Sequence, residues 1–208
     1  MSFAPDITEQ LARARADLRM GVPVVLAGGA QAALVLAAET LTAQRLADVL
    51  ALGGAPVLAI TARRAETLKA RAYDGNLARV VLPPGATPAW VQSIADPADD
   101  LRAPMKGPLQ TARGGDTAAH SAALDLVKAA RMLPAALVLD LPQGADFARL
   151  HGLTLIDLTA AAPILARRSA LHPVVNPRLP MEVSEAGRLH IFRPEDGGEE
   201  HYAIEIGR

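Results

Sequence analysis

No cysteine occurs anywhere in the chain, so disulfides and thiolate zinc sites are both excluded, while the count by itself leaves the compartment open. Aromatic residues make up only 3% of the sequence, which removes base stacking as a mode of binding nucleic acid. Neither sign of charge dominates. The formal net charge is -1, so no electrostatic attraction draws the chain to nucleic acid or to an anionic membrane. Long apolar runs are missing too: the stretch around Leu34 to Ala38 is interrupted by Glu39 and falls far short of a bilayer span. Asp6 and Glu9 stand where the apolar centre of a signal peptide would have to be. The expectation is a cytoplasmic protein with no membrane or nucleic-acid partner. What is present is a chain of 208 residues, half of them apolar, which is enough for one sizeable core.

The order of elements is legible from spacing. Asp6 and Glu9 form a capping box for a helix carrying Ile7, Leu11, Ala14 and Leu18 on one side, closed by Gly21. Val22 to Leu26 reads as a strand, Thr42 to Leu52 as a helix, Pro56 to Ile60 as a second strand and Ala62 to Ala72 as a helix. Arg79 to Leu82 reads as a short strand, and Thr87 with Pro88 starts another helix. From Asp96 to Gly115 the chain is rich in proline, glycine and charge and reads as a long loop. Leu126, Ala129, Ala130 and Leu133 then keep helical spacing until Pro134, and Ala135 to Leu139 is an apolar run of strand length. Alternation of strands and helices argues for a layered α/β domain.

Asp125 to Asp140, with its Asp-Leu, its proline stop, its apolar strand and its terminal acid, resembles one family closely: the 3,4-dihydroxy-2-butanone 4-phosphate synthases, in which a Glu ends that strand. Ala37-Ala38-Glu39, Ala59-Ile60-Thr61, Arg113-Gly114-Gly115 and Gly152-Leu153-Thr154-Leu155-Ile156 resemble further segments of the same family, in the same order. The resemblance implies the fold of that family, an α+β layered sandwich, over residues 1–166, and a homodimer. After a linker at 167–181 that contains Pro173, Pro177 and Pro180, two alternating strands flank the charged turn from Pro194 to Glu200. This β-hairpin is similar to the opening of GTP cyclohydrolase II, so 182–208 is expected to be the truncated start of such a domain, in the order found in bifunctional riboflavin-pathway proteins.

The catalytic residues of the synthase family are not matched. Where it has an acidic loop that binds magnesium, this chain has Ala27-Gly28-Gly29-Ala30-Gln31-Ala32-Ala33, without a carboxylate. A hard divalent cation requires oxygen ligands that the loop lacks. Counting back from Asp125, the family's histidine ligand falls on Ala119, so His120 is one position off. It reads as an exposed or helix-start histidine. Glu39, Asp116 and Asp140 read as capping or strand-end acids. No catalytic residue and no metal ligand is therefore assigned, neither for the magnesium of the synthases nor for the zinc of the cyclohydrolases. Arg113 and Thr117 are the candidates for a vestigial phosphate site that would hold a small phosphorylated ligand.

The expected function is a degenerate, non-catalytic synthase-like domain with a structural, dimerising or regulatory role. Two other readings stay open. One is an active lyase on ribulose 5-phosphate. The other is an NADP-binding Rossmann-like domain, from Gly28-x-Ala30-x-x-Ala33 and the Arg63-Arg64 pair, although no Tyr-x-x-x-Lys follows Tyr73.

Overall fold

The structure is a computed structural model and describes residues 4–29, 31–102, 104, 106–166, 170–195 and 198–207. Two compact units divide after Ala166. Ala30 of the first glycine-rich turn, residues 167–169 of the expected linker, and Asp196 and Gly197 of the expected hairpin turn lie outside the described residues.

The first unit opens with α1 (Ile7–Arg19), where Asp6 accepts from the Glu9 N–H and Glu9 returns the bond to the Asp6 N–H. Strand β1 (Val24–Gly28) turns directly into β2 (Gln31–Ala37). The two strands pair antiparallel down to Gly28↔Gln31, so the stretch expected as a loop from Ala27 to Ala33 is a tight hairpin instead. Gly29, at φ +59, supplies the left-handed backbone that such a turn demands. Helix α2 (Ala43–Ala51), capped by Thr42, and β3 (Val57–Thr61) follow. α3 (Ala62–Thr67) stops well before Ala72, because Leu68 leaves helical geometry and Lys69 takes φ 56. Next come β4 (Leu77–Val81), α4 (Pro88–Ala95) capped by Thr87, and a single 3-10 turn at Pro97–Asp99. α5 (Ala118–Ala129) ends four residues before the stretch expected, with Arg131 at φ 59, and β5 (Ala135–Leu141) begins after Pro134. α6 (Gly144–His151), β6 (Leu155–Asp157) and α7 (Leu158–Leu165) close the unit.

The six strands lie in the order β4-β3-β5-β2-β1-β6, and every neighbouring pair is antiparallel except β1 with β6. The parallel order of a Rossmann domain is absent from this sheet. Both faces are covered. Val25, Leu34, Leu36, Leu58, Ile60, Leu137 and Leu139 pack with Leu46, Val49, Val91, Ile94 and Ala148 of α2, α4 and α6. The alternate residues Val24, Leu26, Val35, Ala136 and Val138 pack with Leu11, Leu18, Leu126 and Ala161 of α1, α5 and α7. A strand with an apolar layer on either side reads as a continuous apolar run, which is why β1, β2 and β5 do so.

The second unit is a three-stranded antiparallel sheet in the order β7 (Leu171–Val175), β8 (Arg188–Pro194), β9 (His201–Glu205). β7 lies inside the stretch expected to be a linker. Pro173 is accommodated there because β7 is an edge strand with an irregular register between Pro173 and Val175. No helix among the described residues is long and apolar enough to cross a membrane.

Close packing of α6 on the sheet rests on Gly144. A Cβ at this position would lie 2.3 Å from the Cβ of Ala32 and 3.2 Å from Cγ1 of Val25. Gly144→Ala is therefore expected to lower stability by about 1–3 kcal/mol through overpacking, seen as a lower urea midpoint with an unchanged slope. A midpoint equal to that of the parent chain would show that α6 is free to move off the hairpin.

Candidate functional site

The hairpin tip, the end of β5 and the first turn of α5 enclose a cavity of about 480 Å³, lined by Gln31, Ala32, Asp140, Leu141, Pro142, Asp116, Ala119, His120, Arg79 and Gly115. Sheet register brings two of these walls together, since Ala32 lies opposite Leu141 and Ala33 opposite Asp140. The third wall is delivered by a tether. Thr111 bridges to Val80, the Ala112 N–H donates to the Arg79 carbonyl at 2.8 Å, and Arg79 Nη2 donates to the Gly114 carbonyl at 2.5 Å. This fixes the segment from 110 to 115 along the edge of β4 and sets α5 beside the end of β5.

Arg79 is buried, and its charge is matched locally. Its Nε and Nη2 donate to the two carboxylate oxygens of Asp74 at 2.8 and 3.1 Å, and both side chains are less than a tenth exposed. This bidentate geometry is among the stronger ion-pair arrangements. Asp116 Oδ1 accepts the Ala118 N–H at 2.9 Å and so caps the start of α5, whereas the Thr117 side chain makes no capping bond. Asp140 is exposed at the end of its strand.

His120 is buried, at 5% exposure, and lines the cavity, so the expectation of an exposed histidine is corrected. The reason is that α5 begins end-on to the cavity, where the consecutive residues Ala119 and His120 both border it. Ala119, on which the family's histidine falls by count, thus shares this border with His120. The His120 Nδ1 is sealed from solvent and has no hydrogen-bond partner among the described residues. Burial, aided by the Arg79 charge, holds the His120 pKa below the usual histidine range, against the opposing pull of Asp140, Asp74 and Asp116.

The two phosphate candidates lie outside this wall. The Arg113 guanidinium sits over the Tyr73 ring, 4.2 Å from its centroid, and donates to the Tyr73 hydroxyl. Neither Arg113 nor Thr117 is among the lining residues. Glu39 accepts the Leu133 N–H at 2.7 Å and so holds the turn behind α5. Arg64, one of the pair offered for a nucleotide phosphate, is buried: it donates to the Ile94 carbonyl at 2.6 Å and to both carboxylate oxygens of Asp100 at 2.6 and 2.7 Å. Lys106 adds a second contact to Asp100, and together the two cations hold the Asp100 carboxyl well below the usual carboxylate range. Arg64 is thus committed to the loop after α4 and is not a free ligand for a nucleotide phosphate.

A magnesium ion of the kind bound by the synthase family does not fit the residues present. The hairpin tip has no carboxylate, and among the described residues no group of three or more His, Asp or Glu side chains is placed to hold a metal ion. With no cysteine in the chain, a thiolate zinc site does not fit either.

Because the folded ring resists protonation, His120 costs no stability above about pH 7, where it is neutral in both states. Below its unfolded pKa of about 6.5 the unfolded chain takes up a proton that the native ring refuses, so stability falls as pH drops toward the folded pKa. Urea midpoints measured from pH 7.5 down to 5.5 are expected to fall more steeply for the parent chain than for His120→Gln, by at most about 1.4 kcal/mol per pH unit. Parallel profiles for the two proteins would show that this ring protonates freely.

No family model matches the chain. Over 206 aligned residues it is 33% identical to a GTP cyclohydrolase-2 of Azospirillum brasilense, an alignment that covers 94% of this chain and 52% of the relative. The chain thus spans about half the length of the curated relative it matches. Among solved structures, a two-domain 3,4-dihydroxy-2-butanone 4-phosphate synthase from A. baumannii superposes with a TM-score of 0.54 at 16% identity, over 95% of this chain and 70% of that one. A 3,4-dihydroxy-2-butanone 4-phosphate synthase of Candida albicans superposes with a TM-score of 0.55 at 15% identity, over 76% of this chain and 97% of that one. At such identities the superpositions establish fold. The chain therefore has the 3,4-dihydroxy-2-butanone 4-phosphate synthase-like fold and, along nearly all of its length, is related in sequence to a GTP cyclohydrolase-2.

Proposed function

We propose that this chain is the catalytically degenerate synthase-like part of a GTP cyclohydrolase II-type protein of riboflavin biosynthesis, acting as a structural, dimerising or regulatory domain. The observation that supports the reading is the tight β1–β2 hairpin, which stands where the sequence resemblance puts the family's acidic loop and itself offers the cavity no carboxylate. Proton removal and return on a sugar phosphate need acid/base groups within hydrogen-bond reach of the reacting atoms, together with a metal to polarise the carbonyl. Asp116 is committed to capping α5, Glu39 to the turn behind it, and Arg79 to Asp74. The sequence relationship to a GTP cyclohydrolase-2 over 94% of the chain supports the placement in that type of protein.

The test is formate release from ribulose 5-phosphate in the presence of magnesium. The expected rate is that of the control without enzyme. Turnover clearly above the control and abolished by His120→Ala would overturn the reading and make the slipped histidine part of a working site. The dimerising role is checked separately by light scattering, with a homodimer expected at micromolar concentration; a monomer would remove that role.

A further inference from the structure

We infer that β9 is a homodimer interface, at which two copies of this chain join antiparallel, edge to edge, about a two-fold axis through Ala203. The inference rests on the dimerising role proposed above and assigns that role to the second unit.

The two edges of the three-stranded sheet differ. β7 is blunted, because Pro173 has no N–H to donate and the register slips between Pro173 and Val175. β9 has neither device. It keeps unbroken register with β8 from His201 to Glu205, contains no proline or lysine, and among the described residues pairs with β8 alone. An edge of this kind presents a row of backbone N–H and C=O groups to a further strand. Its side chains add an apolar strip: Tyr202 and Ile204, 63% and 57% exposed, stand on one face beside Ile191 and Leu189 of β8, with the exposed Ile206 beyond them. The Tyr202 hydroxyl donates to Glu200 at 3.1 Å, which holds the ring along the strand.

The sequence of β9 is complementary to itself, and this selects a second copy as the occupant. A two-fold axis perpendicular to the sheet has to pass through one residue, because opposed side chains lie on the same face. With the axis at Ala203, Tyr202 lies opposite the partner's Ile204 and His201 opposite the partner's Glu205, and symmetry makes each pair twice. An aromatic ring against a β-branched side chain and an imidazole against a carboxylate are both favourable cross-strand pairs. Glu205 already has the His190 Nε2 at 2.9 Å within its own chain, so the dimer sets its carboxylate between two imidazoles. An axis at Tyr202 instead sets Glu199 against the partner's Glu205, two like charges, and an axis at Ile204 sets Glu205 against the partner's Ala203. Ala203 is the centre at which charge and apolar surface both match.

Because the chain has no cysteine, a single introduced thiol reads the register directly. Residues opposed across antiparallel strands have Cα atoms about 4.5–5.5 Å apart, within disulfide reach. Under mild oxidation of the full chain, Ala203→Cys is expected to form a covalent dimer at least about tenfold faster than Val183→Cys, an exposed site outside the strand, because the interface raises the local thiol concentration. Tyr202→Cys and Ile204→Cys are expected to cross-link faster when the two proteins are mixed than when each is alone. Ile204→Lys, which spoils both Tyr202 pairs, is expected to weaken the dimer about tenfold in light scattering on dilution, with the strand signal in circular dichroism unchanged. The cysteine arms decide the register even where Ile204→Lys lowers stability. Cross-linking of Ala203→Cys no faster than that of Val183→Cys, or a dimer of undiminished affinity in folded Ile204→Lys, overturns the β9 interface and leaves a dimerising role elsewhere in the chain. A parent chain that is monomeric at micromolar concentration overturns both. Formate release from ribulose 5-phosphate bears on the non-catalytic reading alone and leaves this interface standing.

Discussion

The organising constraint in the first unit is a sheet that must be covered on both faces. Each strand of β1, β2 and β5 feeds one apolar layer with its odd residues and the other with its even ones, so nearly every position along it has to be apolar and of limited size. Alanine, valine and leucine meet that demand in β1, β2 and β5. The same constraint brings α6 so close to the hairpin that only glycine is accommodated at its first position. It also leaves the ends of the strands as the place where polar groups gather, and there the cavity forms.

Within this frame Arg79 is the polar counterpart of the core. A buried guanidinium is tolerated only when its charge is paired and its donors are used. Asp74 supplies the pair and the Gly114 carbonyl takes a further donor. Because the loop before α5 carries that carbonyl, satisfying the arginine also positions the helix that brings His120 to the cavity. One electrostatic requirement at the sheet edge therefore fixes the geometry of the cavity that Arg79 itself helps to line.

Much of the fold was legible because its signals are local. The Asp6 capping box, Thr42 and Thr87 as helix caps, Pro88 at a first helical position and the apolar run of β5 each act within one turn or one strand. The hairpin at Gly28 is not distinguishable from a loop by spacing, since a glycine pair after a strand suits a phosphate turn as well as a β-turn. The apolar residues from Ala32 to Ala37 on its far side were the signal for a second strand. The burial of His120 left no trace in the sequence: Ala118, Ala119, Ser121 and Ala122 surround it with small residues and give the helix start no contrast between inside and outside. The Arg64–Asp100 pair joins residues 36 apart and has no local signature at all. Polar contacts that depend on tertiary approach are invisible to spacing, and in this chain they are the ones that shape the site.

The β1–β2 tip carries a consequence for how such a domain diversifies. Its ladder is complete down to Gly28 and Gln31, and Gln31 already stands at the mouth of the cavity. Extra residues placed at that tip would disturb no ladder pair, and loop closure costs only about 0.6 kcal/mol for each doubling of loop length. A longer, carboxylate-bearing segment and a bare turn are thus interchangeable on the same scaffold by insertion or deletion, with the sheet and both helical layers left intact. The tip is a natural grafting point, at which new chemistry can be installed over the cavity without redesigning the core beneath it.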